Sequence, residues 1–196
     1  VYLDSDDSKA NEDYLLTAGG TRIHIYANHG DTVKVTGNGF PCYRWRAESH
    51  HPLQKVLNDY RNFENSITDP ISKKIREAYE ADNVDDELID RLEIMRDSTD
   101  IASSLDYMKD KEFNSAFASE LMGIAIESYT SKRKGILSDK ISDFIKEKVP
   151  DSYKDDEYIW EAKRYSASGD GKLHVGDKMP DYTLYDRDGK EHKLSE

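Results

Sequence analysis

The chain has 196 residues, of which 36% are hydrophobic and 35% charged, and a net charge of −12. That charge excludes a surface built to neutralise nucleic-acid phosphates, which needs clustered Lys and Arg, and it disfavours an anionic membrane surface for the same reason. No apolar run approaches the roughly 20 residues a transmembrane helix requires, so no transmembrane segment is expected; the longest apolar-rich piece is Leu121 to Ile126.

The first segment, residues 1–48, is rich in β-branched and aromatic residues and reads as a small antiparallel β-domain. Thr21-Arg-Ile-His-Ile-Tyr26 and Thr32-Val-Lys-Val-Thr36 alternate as strands do. Asn28-His-Gly-Asp31 between them is a turn signal, and Gly37-Asn-Gly39 closes the second strand. Tyr43-Arg-Trp-Arg46 is a third alternating piece, while Val1 to Leu3 and Tyr14 to Thr17 are weaker strand signals.

Residues 49–166 read as a helical region. Leu53, Val56, Leu57, Tyr60 and Phe63 share one helical face, and Ile71, Ile75 and Tyr79 resume the pattern after Pro70, which suits the first turn of a new helix. Leu88, Leu92 and Met95 form the next apolar stripe, behind an acidic Asp85-Asp-Glu87 start that complements a helix N-terminus. Phe113, Phe117, Leu121, Ile124 and Ala125 form the most apolar stripe. Gly135 and Ser138 separate it from Ile141, Phe144 and Ile145, which end before Pro150, and Tyr158, Ile159, Ala162 and Tyr165 make a last helix. Helices of this length on short links imply an antiparallel layer.

Ser166-Ala-Ser-Gly-Asp-Gly171 opens a linker, assigned to residues 167–174. Tyr182-Thr-Leu-Tyr185, Arg187-Asp-Gly-Lys190 and Glu191 to Leu194 then read as a hairpin on an Asp-Gly turn. The fold class expected is α+β: a small antiparallel sheet, a larger helical region and a closing hairpin.

That closing segment, residues 175–196, carries a specific resemblance. Val175-Gly-Asp-Lys-Met-Pro-Asp-Tyr-Thr-Leu184, with Asp186-Arg-Asp-Gly-Lys190 and Leu194-Ser195, resembles the opening of the redoxin family of thioredoxin-fold peroxiredoxins and thiol–disulfide oxidoreductases. Met179 stands where that family commonly has Ala, and Tyr182 where it has Phe. The front of the chain, Ile23-His-Ile-Tyr26 and Gly30-Asp-Thr-Val-Lys-Val-Thr-Gly37, is similar to an accessory β-domain that precedes redoxin domains in envelope proteins of Bacteroidetes-type bacteria. A Gly-Ser pair usual before the first helix there is Glu48-Ser49 here. Together the resemblances imply an exported, often lipid-anchored protein facing the periplasm. Its catalytic cysteines would lie in a thioredoxin-like domain that begins at residue 175, and its partners would be protein thiols and disulfides.

The side chains present here offer little chemistry of their own. Cys42 is the single cysteine, and dithiol exchange needs a second thiol in the same site; a small packed side chain is the reading of Cys42. Adjacent His50 and His51 point in different directions on a regular element, and they read as surface or capping groups. No zinc spacing, phosphate loop, calcium loop or nucleophile elbow is present, so neither catalytic residues nor a metal or cofactor are expected. Tyr43 and Trp45 share one strand face and form a candidate platform for a peptide or glycan; contact between the sheet and the helices is the competing explanation. Three functions follow, in this order: a non-catalytic accessory region of a thiol–disulfide oxidoreductase, a self-contained envelope peptide- or glycan-binding protein, or a hydrolase with a site in the cleft between sheet and helices.

Overall fold

A computed structural model describes residues 13–18, 21–28, 30–37, 45–130, 134–167, 183–185 and 190–193. The fold is α+β and mostly helical. The chain divides into two compact units, Val1–Pro70 with Asn114–Ala116, and Ile71–Phe113 with Phe117–Glu196.

In the first unit, β1 (Asp13–Ala18) pairs antiparallel with β2 (Thr21–Tyr26), with Leu16 opposite Ile23. Separately, β3 (Lys34–Thr36) pairs antiparallel with β4 (Arg46–Glu48), with Val35 opposite Ala47. Among the described residues the strands thus form separate two-stranded pairs. The alternation of β2 sends Ile23 and Ile25 inward, where they pack with Ala27, Val33 and Ala47. After β2 the chain turns at Asn28–Asp31. Asp31 N–H donates to the Asn28 carbonyl at 3.0 Å, and the Asp31 carboxylate accepts from the Asn28 backbone and side-chain amides, both at 3.0 Å. Gly30 has φ +79°, the left-handed conformation that a side chain resists. The Asn28 backbone donor holds the Asp31 carboxyl below its ordinary value. The strand signal at Val1 to Leu3 lies outside the described residues.

Helix α1 spans Pro52–Tyr79 without interruption. Pro70, expected to open a new helix, lies inside it. A proline there removes one backbone donor and crowds the carbonyl a turn earlier. Side-chain hydroxyls occupy carbonyls of that stretch: Ser66 donates to Phe63 at 2.6 Å and Thr68 to Glu64 at 3.0 Å. Local back-bonding of this kind is compatible with a bent or locally opened ladder.

In the second unit, α2 spans Asp86–Lys109 and is capped by Asp85, whose carboxylate accepts from Leu88 N–H at 3.0 Å. Such a cap contributes about 1 kcal/mol. The stripe expected to face the core does not: Leu88 is 40% exposed and Met95 41%. The buried side of α2 is Ile89 and then Asp97, Asp100, Ile101, Ser104, Leu105 and Met108. Polar residues occupy that face, and this is why apolar spacing alone selected the other one.

Helix α3 (Ser115–Thr130) buries Phe117, Leu121, Ile124 and Ala125 as expected, while Phe113 precedes it. Helix α4 (Lys134–Lys148) includes Gly135 and Ser138, which were expected to lie between helices. Ser138 is buried, and its hydroxyl shares a hydrogen bond of 3.1 Å with that of Ser128 on α3, which satisfies both groups inside the core. A single 3-10 turn at Asp151–Tyr153 leads to α5 (Glu157–Ala167). Asp156 caps α5 by accepting from Tyr158 and Ile159 N–H at 2.9 and 3.3 Å. Ser166, expected to open the linker, is instead buried in the last turn of α5 and donates to the Ala162 carbonyl at 2.7 Å. Helix α4 packs on both α2 and α5. At the end of the chain β5 (Thr183–Tyr185) pairs antiparallel with β6 (Glu191–Lys193), the register a hairpin requires; its Asp-Gly turn lies outside the described residues.

Candidate functional site

Two groups of polar side chains stand out, one in each unit. The first surrounds Trp45, the described member of the expected aromatic pair; Tyr43 and Cys42 lie outside the described residues. Trp45 is half-buried and packs against the Ile23–Ala47 cluster, with Leu16 and Val35 beside it. A Cβ added at Gly37 would overlap the Trp45 indole, so this glycine is needed for the ring's position.

Beside the ring is a crevice of about 20 Å³ that His24, Arg46, Gln54, Asn58 and Arg61 help to line. Its floor is held by side-chain amides. Gln54 on α1 accepts from Tyr26 N–H at 2.8 Å and donates to Asn58 at 3.1 Å, and Asn58 donates to the Ala47 carbonyl at 2.8 Å. These amides bridge α1 to β2 and to β4. Arg46 donates to Asn62 at 3.1 Å and to the Trp45 carbonyl at 3.0 Å. Burial and then the neighbouring Arg61 pull its guanidinium below the ordinary value, against Glu64 and Asp69. A volume of this size accommodates about one water, so a ligand would lie across the Trp45 edge rather than enter.

The histidine pair divides its roles at the start of α1. His51 is buried, its Nδ1 accepts from Leu53 N–H at 3.2 Å, and its ring stacks on Tyr26 at 5.9 Å. His50 is 92% exposed, with Nδ1 3.8 Å from Asp31. Ser49, in the Glu48-Ser49 pair, donates to the Tyr26 carbonyl and accepts from His51 N–H. The capping reading of His51 is the one observed.

The second group carries no sequence motif. Asp97 and Asp100 on α2 and Glu120 on α3 are buried, and Glu127 on α3 is partly so. Arg96 donates to Asp97 Oδ1 at 2.8 and 3.1 Å, and Ser104 donates to Asp100 Oδ1 at 3.2 Å. Burial pushes the Asp100 carboxyl up to about 6; Ser104 and Arg96 oppose the rise, while Glu120 and Asp97 add to it. Burial pushes Glu127 up to about 7, and Asp100 and Asp97 reinforce it against Arg96. Burial pulls against the Arg96 charge, but the Asp97 hydrogen bond, with Asp97, Glu127 and Glu93 as counter-charges, holds it above its ordinary value.

The available signal was spacing. Asp97 falls four residues before Ile101 and Asp100 four before Ser104, and Glu120 falls between Phe117 and Ile124, so all three share the core face of their helices. Among the described residues no group of three or more His, Cys, Asp or Glu side chains is arranged to hold a metal ion, and no helix is long and apolar enough to cross a membrane. Comparison with protein-family models, curated proteins and solved structures finds no match to this chain.

Proposed function

We propose that this chain is the non-catalytic accessory region of a cell-envelope thiol–disulfide oxidoreductase, holding protein substrates for a redoxin domain or orienting that domain. The observation that carries the reading is the closing segment. Its Val175–Leu184 phrase, Asp186–Lys190 turn sequence and Leu194-Ser195 resemble a redoxin opening, and β5 and β6 pair across that turn with Leu184 opposite His192. An isolated two-stranded hairpin is marginal in water, which is consistent with a strand pair that belongs to a larger sheet.

The chemistry is divided accordingly. With Cys42 as its single thiol, the chain lacks the resolving partner that dithiol exchange requires. The catalytic thiols belong to the thioredoxin-like domain, and export to the periplasm follows from the same resemblance. The accessory region then contributes through surfaces such as the amide-braced Trp45 crevice.

The test is the activity of this chain alone in insulin reduction and peroxide consumption, with dithiothreitol as reductant. No turnover above background is expected. Turnover that disappears in Cys42→Ser would overturn the division of labour. A second reading, a self-contained envelope protein that binds a peptide or glycan, is favoured by the half-buried Trp45 ring beside Arg46 and Arg61.

A further inference from the structure

The crevice beside Trp45 is rich in hydrogen-bond donors, and the backbone fixes that polarity. Gln54 Oε1 must face the Tyr26 N–H, which can only donate, and Asn58 Nδ2 must face the Ala47 carbonyl, which can only accept. The remaining amide orientations follow, with Gln54 Nε2 donating to Asn58 Oδ1 at 3.1 Å. Both amide oxygens therefore accept a bond inside the network, while each amide nitrogen carries two N–H groups and gives one to it. Among the described residues neither nitrogen has a second partner. Gln54 is 2% exposed, and a buried donor left over in this way is costly until an acceptor reaches it.

We propose that this crevice binds a carboxylate, and that its ligand is an acidic peptide segment whose Asp or Glu side chain seats there. Arg46 and Arg61 line the same crevice as the two amides, so positive charge and N–H donors converge on one place in a chain of net charge −12. Arg46 is already oriented, by Asn62 at 3.1 Å and by the Trp45 carbonyl at 3.0 Å, so a ligand has less to organise. Burial and then the like charge of Arg61 hold its guanidinium below the ordinary value in spite of Glu64 and Asp69, and an added carboxylate relieves both effects. The space takes about one water, so one carboxylate oxygen enters while the other stays at the mouth beside the guanidiniums. The methylenes of the ligand side chain then lie along the Trp45 edge. A sugar fits less well, because it stacks on an open aromatic face. Here Gly37 lies against Cγ, Cδ1 and Nε1 of the indole, and the ring packs against the Ile23–Ala47 cluster. The proposal rests on the reading of this crevice as a surface that holds protein chains, and it adds the charge of the segment held.

The experiment is a nuclear magnetic resonance titration of the full, nitrogen-15-labelled chain with end-blocked hexaglutamate, hexaglutamine and an oligogalacturonate. Salt is held at about 0.15 M, where charges beyond a Debye length of about 8 Å are screened and the overall negative charge matters little. The readouts are the indole N–H of Trp45 and the side-chain amide resonances of Gln54 and Asn58. The indole of Trp160, the other tryptophan, is the internal control, identified with Trp160→Phe. Hexaglutamate is expected to shift the three crevice resonances and leave Trp160 in place. Its affinity should exceed that of hexaglutamine by about tenfold or more, the value of a charge-assisted hydrogen bond. Arg61→Gln should weaken hexaglutamate binding by about tenfold, and Arg61→Lys, which keeps the charge, by less.

Equal binding of hexaglutamate and hexaglutamine would overturn the acidic ligand and leave the protein-holding reading intact. Shifts of the crevice resonances by the oligogalacturonate and not by hexaglutamate would assign the site to a glycan and overturn the proposal. No shift with any of the three would remove the crevice as a holding surface, and the proposal with it. Unchanged hexaglutamate affinity in Arg61→Gln, with the wild-type circular dichroism spectrum, would overturn it as well. Where that variant does not fold, the comparison of hexaglutamate with hexaglutamine on wild type decides the matter alone.

Discussion

Phe117→Ala is expected to destabilise the second unit by about 3–5 kcal/mol, the range for emptying a buried aromatic site. Phe117 is 1% exposed and lies in the first turns of α3. Its ring meets Tyr107 of α2 edge-on at 6.3 Å and Phe113 at 6.5 Å, and Phe113 in turn meets Tyr153 edge-on at 5.2 Å. The aromatic series therefore ties α2, the segment before α3 and the turn before α5. Truncation removes the transfer free energy of the ring and leaves its neighbours facing a void. Guanidinium denaturation followed by circular dichroism measures the loss. Phe117→Leu, which refills most of the volume, should lose less than half as much. A loss below about 1 kcal/mol for Phe117→Ala would mean that the site collapses and that the aromatic series does not organise the unit.

Arg96→Met carries the second large effect, and its size depends on pH. Methionine keeps the length and apolar stem of the side chain but removes the guanidinium. Asp97 then loses donors at 2.8 and 3.1 Å, and Asp100 and Glu127 lose the positive charge that opposes their protonation. Breaking a buried ion pair from one side costs about 3–5 kcal/mol. Arg96 is 38% exposed, so water screens part of the interaction, and about 2–3 kcal/mol is expected at pH 8. At pH 5.5, where Asp100 and Glu127 carry protons, the cost should fall to about 1 kcal/mol. Denaturant midpoints of wild type and variant at the two pH values measure this difference. An equal cost at both would show that Arg96 acts through packing alone.

The helical part of the fold is legible in the sequence where apolar residues alone decide it. Phe117, Leu121 and Ile124 on α3, and Ile141, Phe144 and Ile145 on α4, repeat at helical spacing and are buried. The start of α2 was equally readable, because the acidic Asp85-Asp-Glu87 complements a helix N-terminus; the hydrogen bond by which Asp85 caps it is seen in the structure. Interior exceptions were less legible. Pro70 marks a helix break by its own chemistry, yet the ladder continues, with Ser66 and Thr68 hydroxyls bonded to carbonyls nearby. Gly135 and Ser138 look like a link, but a buried hydroxyl pair makes Ser138 a core residue of α4.

The buried face of α2 departs from its apolar stripe for a related reason. Leu88, Leu92 and Met95 are the apolar spacing, whereas the buried side is specified by Asp97, Asp100 and Ser104 together with Ile101 and Leu105. Carboxylates are rarely buried unless a partner compensates them. Asp97 and Asp100 have theirs on α2 itself, in Arg96 and Ser104, which the apolar spacing of Leu88, Leu92 and Met95 does not register. The crevice at Trp45 was half-visible. An aromatic on an alternating strand could be marked, but Gln54 and Asn58 clamp it through backbone groups of β2 and β4 that no spacing on α1 identifies.

The proposed role as the front of a larger oxidoreductase is tested most directly by the reading frame that encodes this chain, followed past Glu196. The redoxin reading predicts an apolar strand that leads into a Trp-Cys-x-x-Cys or peroxidatic cysteine motif on a thioredoxin-like domain. A stop codon directly after Glu196, or a continuation without any such cysteine, would contradict it and give first place to the self-contained binding protein.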